Sequence, residues 1–209
     1  MPRGLGHQGS MTIDVLSALA LFALITSITP GPNNLMLMAS GANFGLRRTV
    51  PHMLGISLGH AFMVAMVGVL LLQVFVTYPV LNVALKVLSV AYMMWLAWKI
   101  ANAVPPEAKS VTGKPFTFLQ AAAFQWVNPK AWFMAITAIT NYAPQDRGVW
   151  IGALSVAAVF ALTNLPSVSV WAWLGVQVRR LLSTPRRLRS FNITMAGLLI
   201  LSLYPVLTD

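Results

Sequence analysis

Uncharged apolar stretches of about 20 residues recur along the whole chain, and that pattern decides most of what it can fold into. A helix of about 20 apolar residues crosses the roughly 30 Å hydrocarbon core of a bilayer. The balance of residue types agrees: 57% of the 209 residues are hydrophobic and 9% are charged, against about 25% charged in a typical soluble domain. Too few charged side chains remain to cover a water-facing surface, so the chain is read as an all-α integral membrane protein. Cysteine is absent, which excludes disulfides, thiolate metal sites and dithiol chemistry. The net charge of +10 would suit nucleic acid, but basic residues in a membrane protein serve first to orient its loops. No nucleic-acid partner is expected.

Six apolar segments are drawn, at about 13–45, 51–77, 80–100, 116–142, 148–176 and 191–207. All are expected to be helices, because a lone strand in lipid leaves its backbone groups unpaired. The prolines and charges of "NAVPPEAKSVTGKP" (102–115) make it the one real linker, dividing a first three-helix repeat, 11–101, from a second, 116–209. Residues 1–10 carry no apolar pattern and read as a disordered tail or an expression remnant. A cleaved leader based on Arg3 is the rival reading of the first segment, but its apolar run leads into prolines rather than a small-residue cleavage site. Arg47 and Arg48, then Lys99, Lys109 and Lys114, then Arg179, Arg180, Arg186, Arg187 and Arg189 occupy alternate connectors, placing ten of the 14 basic residues on one side. The positive-inside rule makes that side cytoplasmic and puts both termini outside. "RRLLSTPRRLR" (179–189) is accordingly an anchoring loop rather than a patch for nucleic acid or lipid headgroups.

Two of the segments carry prolines that should stop a helix. "TPGPNN" (29–34) interrupts the first, and "WVNPKAW" (126–132) interrupts the fourth. Pro30 and Pro32 have no amide hydrogen, so the carbonyls of Thr26 and Ile28, four residues back, lose their helical donors. Such groups cost several kcal/mol each when left bare in hydrocarbon, and they are tolerated where protein or a water-filled cavity supplies partners. Three crossings per half would insert the second half in the opposite sense, and each half opens with a broken helix. The spacing "GISLG" (Gly55, Gly59) at the second helix of one half is matched by "GVWIG" (Gly148, Gly152) in the other, a pattern that lets membrane helices pack closely. Together these features resemble inverted-repeat secondary transporters, whose sites lie where discontinuous helices meet. The amides of a half-helix starting near Asn33 would suit a carboxylate, and the carbonyls before each break an ammonium. A zwitterion needs both. A plain proline kink is the alternative for either break alone.

Lys130 lies near the middle of an apolar run, where an isolated ammonium costs at least about 2.5–3.5 kcal/mol. With no Asp or Glu in mid-span, its partner is expected to be a backbone carbonyl, water or a substrate carboxylate; snorkelling toward an interface is the alternative. His60, read as the only histidine inside a span, is a candidate for proton exchange or for an interhelical hydrogen bond. Asn164 and Pro166 mark an irregularity in the fifth segment. Gln125, Asn128, Asn33 and Asn34 flank the breaks, and their amides can both donate and accept. The Trp and Phe residues are assigned to lipid contact and interfacial belts.

These residues carry a family likeness. "SITPGPNNLMLMASGANFGLRRTVPHMLGISLGH" (27–60) resembles the proline-glycine-proline signature of the LysE/RhtB amino-acid exporters. "FQWVNPKAW" (124–132) resembles that family's asparagine-proline-lysine motif, and "WAWLGVQVRRLLSTPRRLRSFNITMAGLLIL" (171–201) its basic loop and final helix. The resemblance implies a multi-pass protein of the bacterial inner membrane that exports an amino acid by exchange with protons. It implies that Pro30, Gly31, Pro32 and Asn33 shape one half-site and that Asn128, Pro129 and Lys130 shape the other. Lys130 would engage the substrate carboxylate, with proton exchange at Lys130 or His60. The lack of a mid-span acid favours a neutral substrate over a dibasic one. No cofactor and no resident metal are called for, and a homo-oligomer is left open.

Three other classes compete. A metal or inorganic-ion exporter would want several His, Cys or carboxylate ligands, and only His60 was found within the spans. An intramembrane enzyme would need a nucleophile beside a base; Ser57 and His60 lie three apart on one helix, without a recognisable nucleophile motif. A non-transporting scaffold would have breaks but no dependence on ligand.

Overall fold

The computed structural model describes residues 12–71, 77, 78, 80–102, 114–144, 148–179, 181, 182 and 184–204. The tail 1–10, most of the linker 102–115, and the charged residues Asp146, Arg147, Arg180 and Asp209 lie outside the described residues. Among the described residues there are helices and no strands. They are α1 (Ile13–Ile28), α2 (Pro32–Phe44), α3 (Leu46–Met66), α4 (Val80–Ala101), α5 (Phe118–Phe124), α6 (Pro129–Tyr142), α7 (Val149–Arg179) and α8 (Pro185–Leu201). A wider π turn, Val67–Leu71, continues α3, and a tight 3-10 turn, Gln125–Val127, follows α5.

Proline and its neighbours set the boundaries. A residue before proline is pushed out of the helical region. Thr29 (ψ 147°) before Pro30 therefore ends α1, and Asn128 (ψ 107°) before Pro129 separates the 3-10 turn from α6. Ala143 (ψ 126°) before Pro144 closes α6. Pro32, Pro129 and Pro185 each open a helix, where a missing amide hydrogen removes no intrahelical bond. Gly45 and Gly148 have φ of 79° and 80°, a region that favours glycine. Each immediately precedes a long helix, α3 or α7.

Three helices, Leu46–Leu70, Val83–Ala101 and Val149–Arg179, are long and apolar enough to cross a bilayer, and the pair α1/α2, bent by 53°, makes a fourth span if taken as one. The six segments drawn from sequence thus reduce, by length and composition, to three or four among the described residues. The fourth segment is cut by its own proline into α5 and α6, of 7 and 14 residues, and the sixth begins six residues earlier than drawn, at Pro185, with arginines in its first turns. The outer faces carry the solvent signature of lipid: Leu119, Leu162, Trp98 and Phe62 are 75%, 76%, 65% and 59% exposed. Water would penalise such a surface; hydrocarbon does not.

Neighbouring contacts fix the helix directions. Phe22 meets Phe160 with ring centroids 6.5 Å apart, and Ile28 meets Trp171, so α1 and α7 run parallel. His60 meets Phe160 while Gly68 meets Ala153, so α3 runs against α7. Gly55 faces Phe118 and Ala121, and Gly59 faces Ala122, so α5 runs parallel to α3. The first helix after each start therefore points opposite to its counterpart, α1 against α5. The close α3–α5 approach needs both glycines, since a Cβ on Gly59 would lie 2.5 Å from the backbone of Ala122. A Cβ on Gly152 would come 3.0 Å from the carbonyl oxygen of Pro144. Gly148 corrects the packing motif read from sequence: it stands just outside α7, with none of the described residues near its missing side chain, and serves by backbone conformation instead.

Candidate functional site

The two helix breaks meet. Asn33, in the first turn of α2, and Gln125, just before the second break, exchange side-chain amide hydrogen bonds of 2.9 and 3.2 Å. Lys130, in the first turn of α6, reaches across to the first break. Its ammonium donates to the carbonyl of Thr29 at 2.8 Å, to the Thr29 hydroxyl at 2.9 Å and to the carbonyl of Pro30 at 3.3 Å. Three donors thus find three oxygens and no carboxylate; the one acidic side chain among the described residues, Asp14, lies in the first turn of α1. Gly31 makes room for the lysine stem, because a Cβ there would come within 2.7 Å of Cδ and 3.1 Å of Nζ.

The freed carbonyls of α1 can be followed one at a time, as buried backbone groups require. That of Thr26 accepts from the Thr29 hydroxyl at 3.0 Å. Those of Ser27 and Thr29 each accept from Asn34 Nδ2 at 2.8 Å. That of Ile28 accepts from Trp171 Nε1 of α7 at 2.9 Å. The second break is closed locally. Asn128 Oδ1 caps the Lys130 amide at 3.2 Å, Gln125 Nε2 donates to the Ala121 carbonyl at 2.9 Å, and Trp132 Nε1 donates to the Trp126 carbonyl at 2.9 Å.

Between the breaks lies a cavity of about 20 Å³, bordered by Ser27, Asn34, His60, Asn128, Lys130 and Asn164 among others. That is room for about one water. An amino acid would fit only if the elements around the cavity moved apart. Asn164 is buried on α7, which runs through Pro166 as one helix rather than breaking there. His60 is buried edge-on against Phe160, with ring centroids 5.0 Å apart. It is not the only histidine within a span: α3 begins at Leu46, so His52 is also inside it, buried and stacked on Phe116 at 5.3 Å.

The family model described as LysE type translocator matches residues 24–203. The chain belongs to that family. Among its relatives is the cysteine/O-acetylserine efflux protein of Escherichia coli strain K12, 32% identical over 192 residues that cover 91% of this chain and 96% of the relative. The protein of the same name from Shigella sonnei strain Ss046 is 32% identical over the same coverage. No solved structure matches the chain.

In this translocator the tryptophans do more than the interfacial role read from sequence. Trp132 and Trp171 each supply the donor that a break requires. Thr29, the residue that holds Lys130, also escaped the sequence reading. Its signal was present: a hydroxyl directly before the proline that strips the carbonyls behind it.

Proposed function

We propose that this translocator exports a neutral amino acid, or a close derivative, from the bacterial cytoplasm in exchange for protons. Six crossings would form two oppositely inserted three-helix repeats in the inner membrane, with both termini outside. The opposed directions of α1 and α5 support that arrangement, as do the matched glycine joints before α3 and α7. The basic side chains support the orientation: Arg179 lies beside Gly45 of the α2–α3 joint, and Lys99 lies over Phe116. These bring the end of α7 to the start of α3, and the end of α4 to the start of α5, on one face.

The observation that carries the reading is Lys130 resting on the carbonyls of Thr29 and Pro30 across the meeting of the breaks. A substrate carboxylate would exchange for the Pro30 carbonyl, the longest of the three contacts, and the carbonyls so released would take the substrate ammonium. Loss of the Lys130 proton would free carboxylate and break together, which couples release to the proton gradient; His60, on the cavity wall, is the second candidate for that exchange. The shortage of acidic groups here gives no holder for a second substrate cation, and the names of the relatives specify cysteine and O-acetylserine.

Gradient-driven efflux of cysteine and serine from proteoliposomes tests the proposal. Lys130→Met removes the charged hydrogen bonds, at about 1.5 kcal/mol or more each, and two of these correspond to roughly 100-fold in rate or affinity. Efflux unchanged in the variant removes the lysine from the mechanism.

A further inference from the structure

Five of the eight polar side chains that line the cavity are hydrogen-bonded. Thr26 donates to the carbonyls of Phe22 and Ala23, at 2.6 and 3.3 Å. Asn33, Asn34, Asn128 and Lys130 hold the breaks. Three lining residues, Ser27, His60 and Asn164, show no side-chain hydrogen bond among the described residues, and two of them leave polar atoms fully buried. Ser27, 5% exposed, and His60, 2% exposed, have a hydroxyl and two ring nitrogens buried without any hydrogen-bond partner. A buried polar group left unpaired costs on the order of 1–3 kcal/mol, and such groups call for an explanation.

They come from separate elements, Ser27 from the last turn of α1 and His60 from the middle of α3. Both border the same cavity as Lys130. Neither is needed by the backbone breaks, whose carbonyls have other donors. Phe160, edge-on to the imidazole, fixes the plane of the ring. The rest of the lining includes Asn164 and the apolar Met134 and Val168.

We infer that Ser27 and His60 form the subsite that reads the substrate side chain, selecting a short chain that ends in a hydrogen-bonding group such as a hydroxyl or thiol. This rests on the amino-acid export reading and gives it a specificity. The carboxylate would sit at Lys130, and the side chain would point to the serine and imidazole, which together offer donors and acceptors. A site built around buried polar groups rejects an analogue lacking the matching group, because those groups then stay unpaired. An apolar side chain of the same size is the natural competitor.

The test is efflux of radiolabelled serine and alanine from proteoliposomes holding the full chain, together with thermal stabilisation of the purified protein by each amino acid. The wild type is expected to favour serine by about tenfold or more. Ser27→Ala and His60→Phe should each lower the serine-to-alanine ratio by about three- to tenfold, with His60→Asn recovering part of it. A merely structural role would lower both fluxes and leave the ratio alone. A wild type that prefers alanine, or variants whose ratio is unchanged by both measures, overturns the inference while leaving export standing. A wild type that neither moves nor is stabilised by any amino acid overturns the export reading itself, and this subsite with it.

Discussion

The two helix breaks solve one problem in opposite ways. The second is self-contained: its tight turn, the Asn128 cap and the Trp132 indole all come from residues within a few positions of Pro129. The first is held in part from elsewhere, by Lys130 of α6 and Trp171 of α7, beside the local donors Asn34 and the Thr29 hydroxyl. A break that closes itself is a fixed wall. A break whose carbonyls depend on distant donors changes when those donors move or find another partner, and so the first break is the one suited to respond to substrate.

The largest effect should follow from removing a distant donor. Trp171→Phe leaves the Ile28 carbonyl without its partner while keeping an aromatic ring, and should lower the unfolding free energy in mixed micelles by about 2 kcal/mol. It should also reduce transport, because the first break is loosened. Asn128→Ala removes a helix cap from the second break and should cost about 1 kcal/mol, with a smaller loss of transport than Trp171→Phe. If Asn128→Ala abolishes transport in protein that remains folded while Trp171→Phe leaves it intact, the roles assigned to the two breaks are reversed.

The breaks themselves were legible because proline is a local rule: Pro30, Pro32 and Pro129 end or open helices whatever surrounds them. Lys130 was legible for a similar reason, since a charge within an apolar run needs a partner. What that partner would be was readable only as a class. Thr29 lies 101 positions away, and although its place before Pro30 marked it, nothing local paired it with Lys130. Trp171 was hidden for the opposite reason. Indoles at membrane interfaces are common, so one that donates to a broken helix looks the same in sequence as one that faces lipid. The glycine match failed at Gly148 because spacing alone cannot separate a residue that permits close packing from one that permits a positive φ. The proline in the fourth segment marked its break, but not that the break would leave helices of 7 and 14 residues, because hydropathy averages over a window and says nothing of where each piece begins.

The smallest effect is the most discriminating. Asn33 and Gln125 form one of two side-chain links between the breaks, the other being Lys130 with the Thr29 hydroxyl, and are joined by two amide hydrogen bonds. Asn33→Ala leaves Gln125 its bond to the Ala121 carbonyl, and Gln125→Ala leaves Asn33 at the start of α2, so neither change need collapse a helix. A double-mutant cycle isolates what the pair contributes beyond each member. Two neutral hydrogen bonds near 1 kcal/mol each, partly replaced by water in each single variant, should leave a coupling of about 0.5–1 kcal/mol. Measured with and without saturating substrate, that coupling should fall when substrate is bound, because admitting an amino acid to a cavity of about 20 Å³ requires the elements around it to part. A coupling unchanged by substrate would mean that the breaks move as one body, and that the cavity opens along α3 and α7 instead.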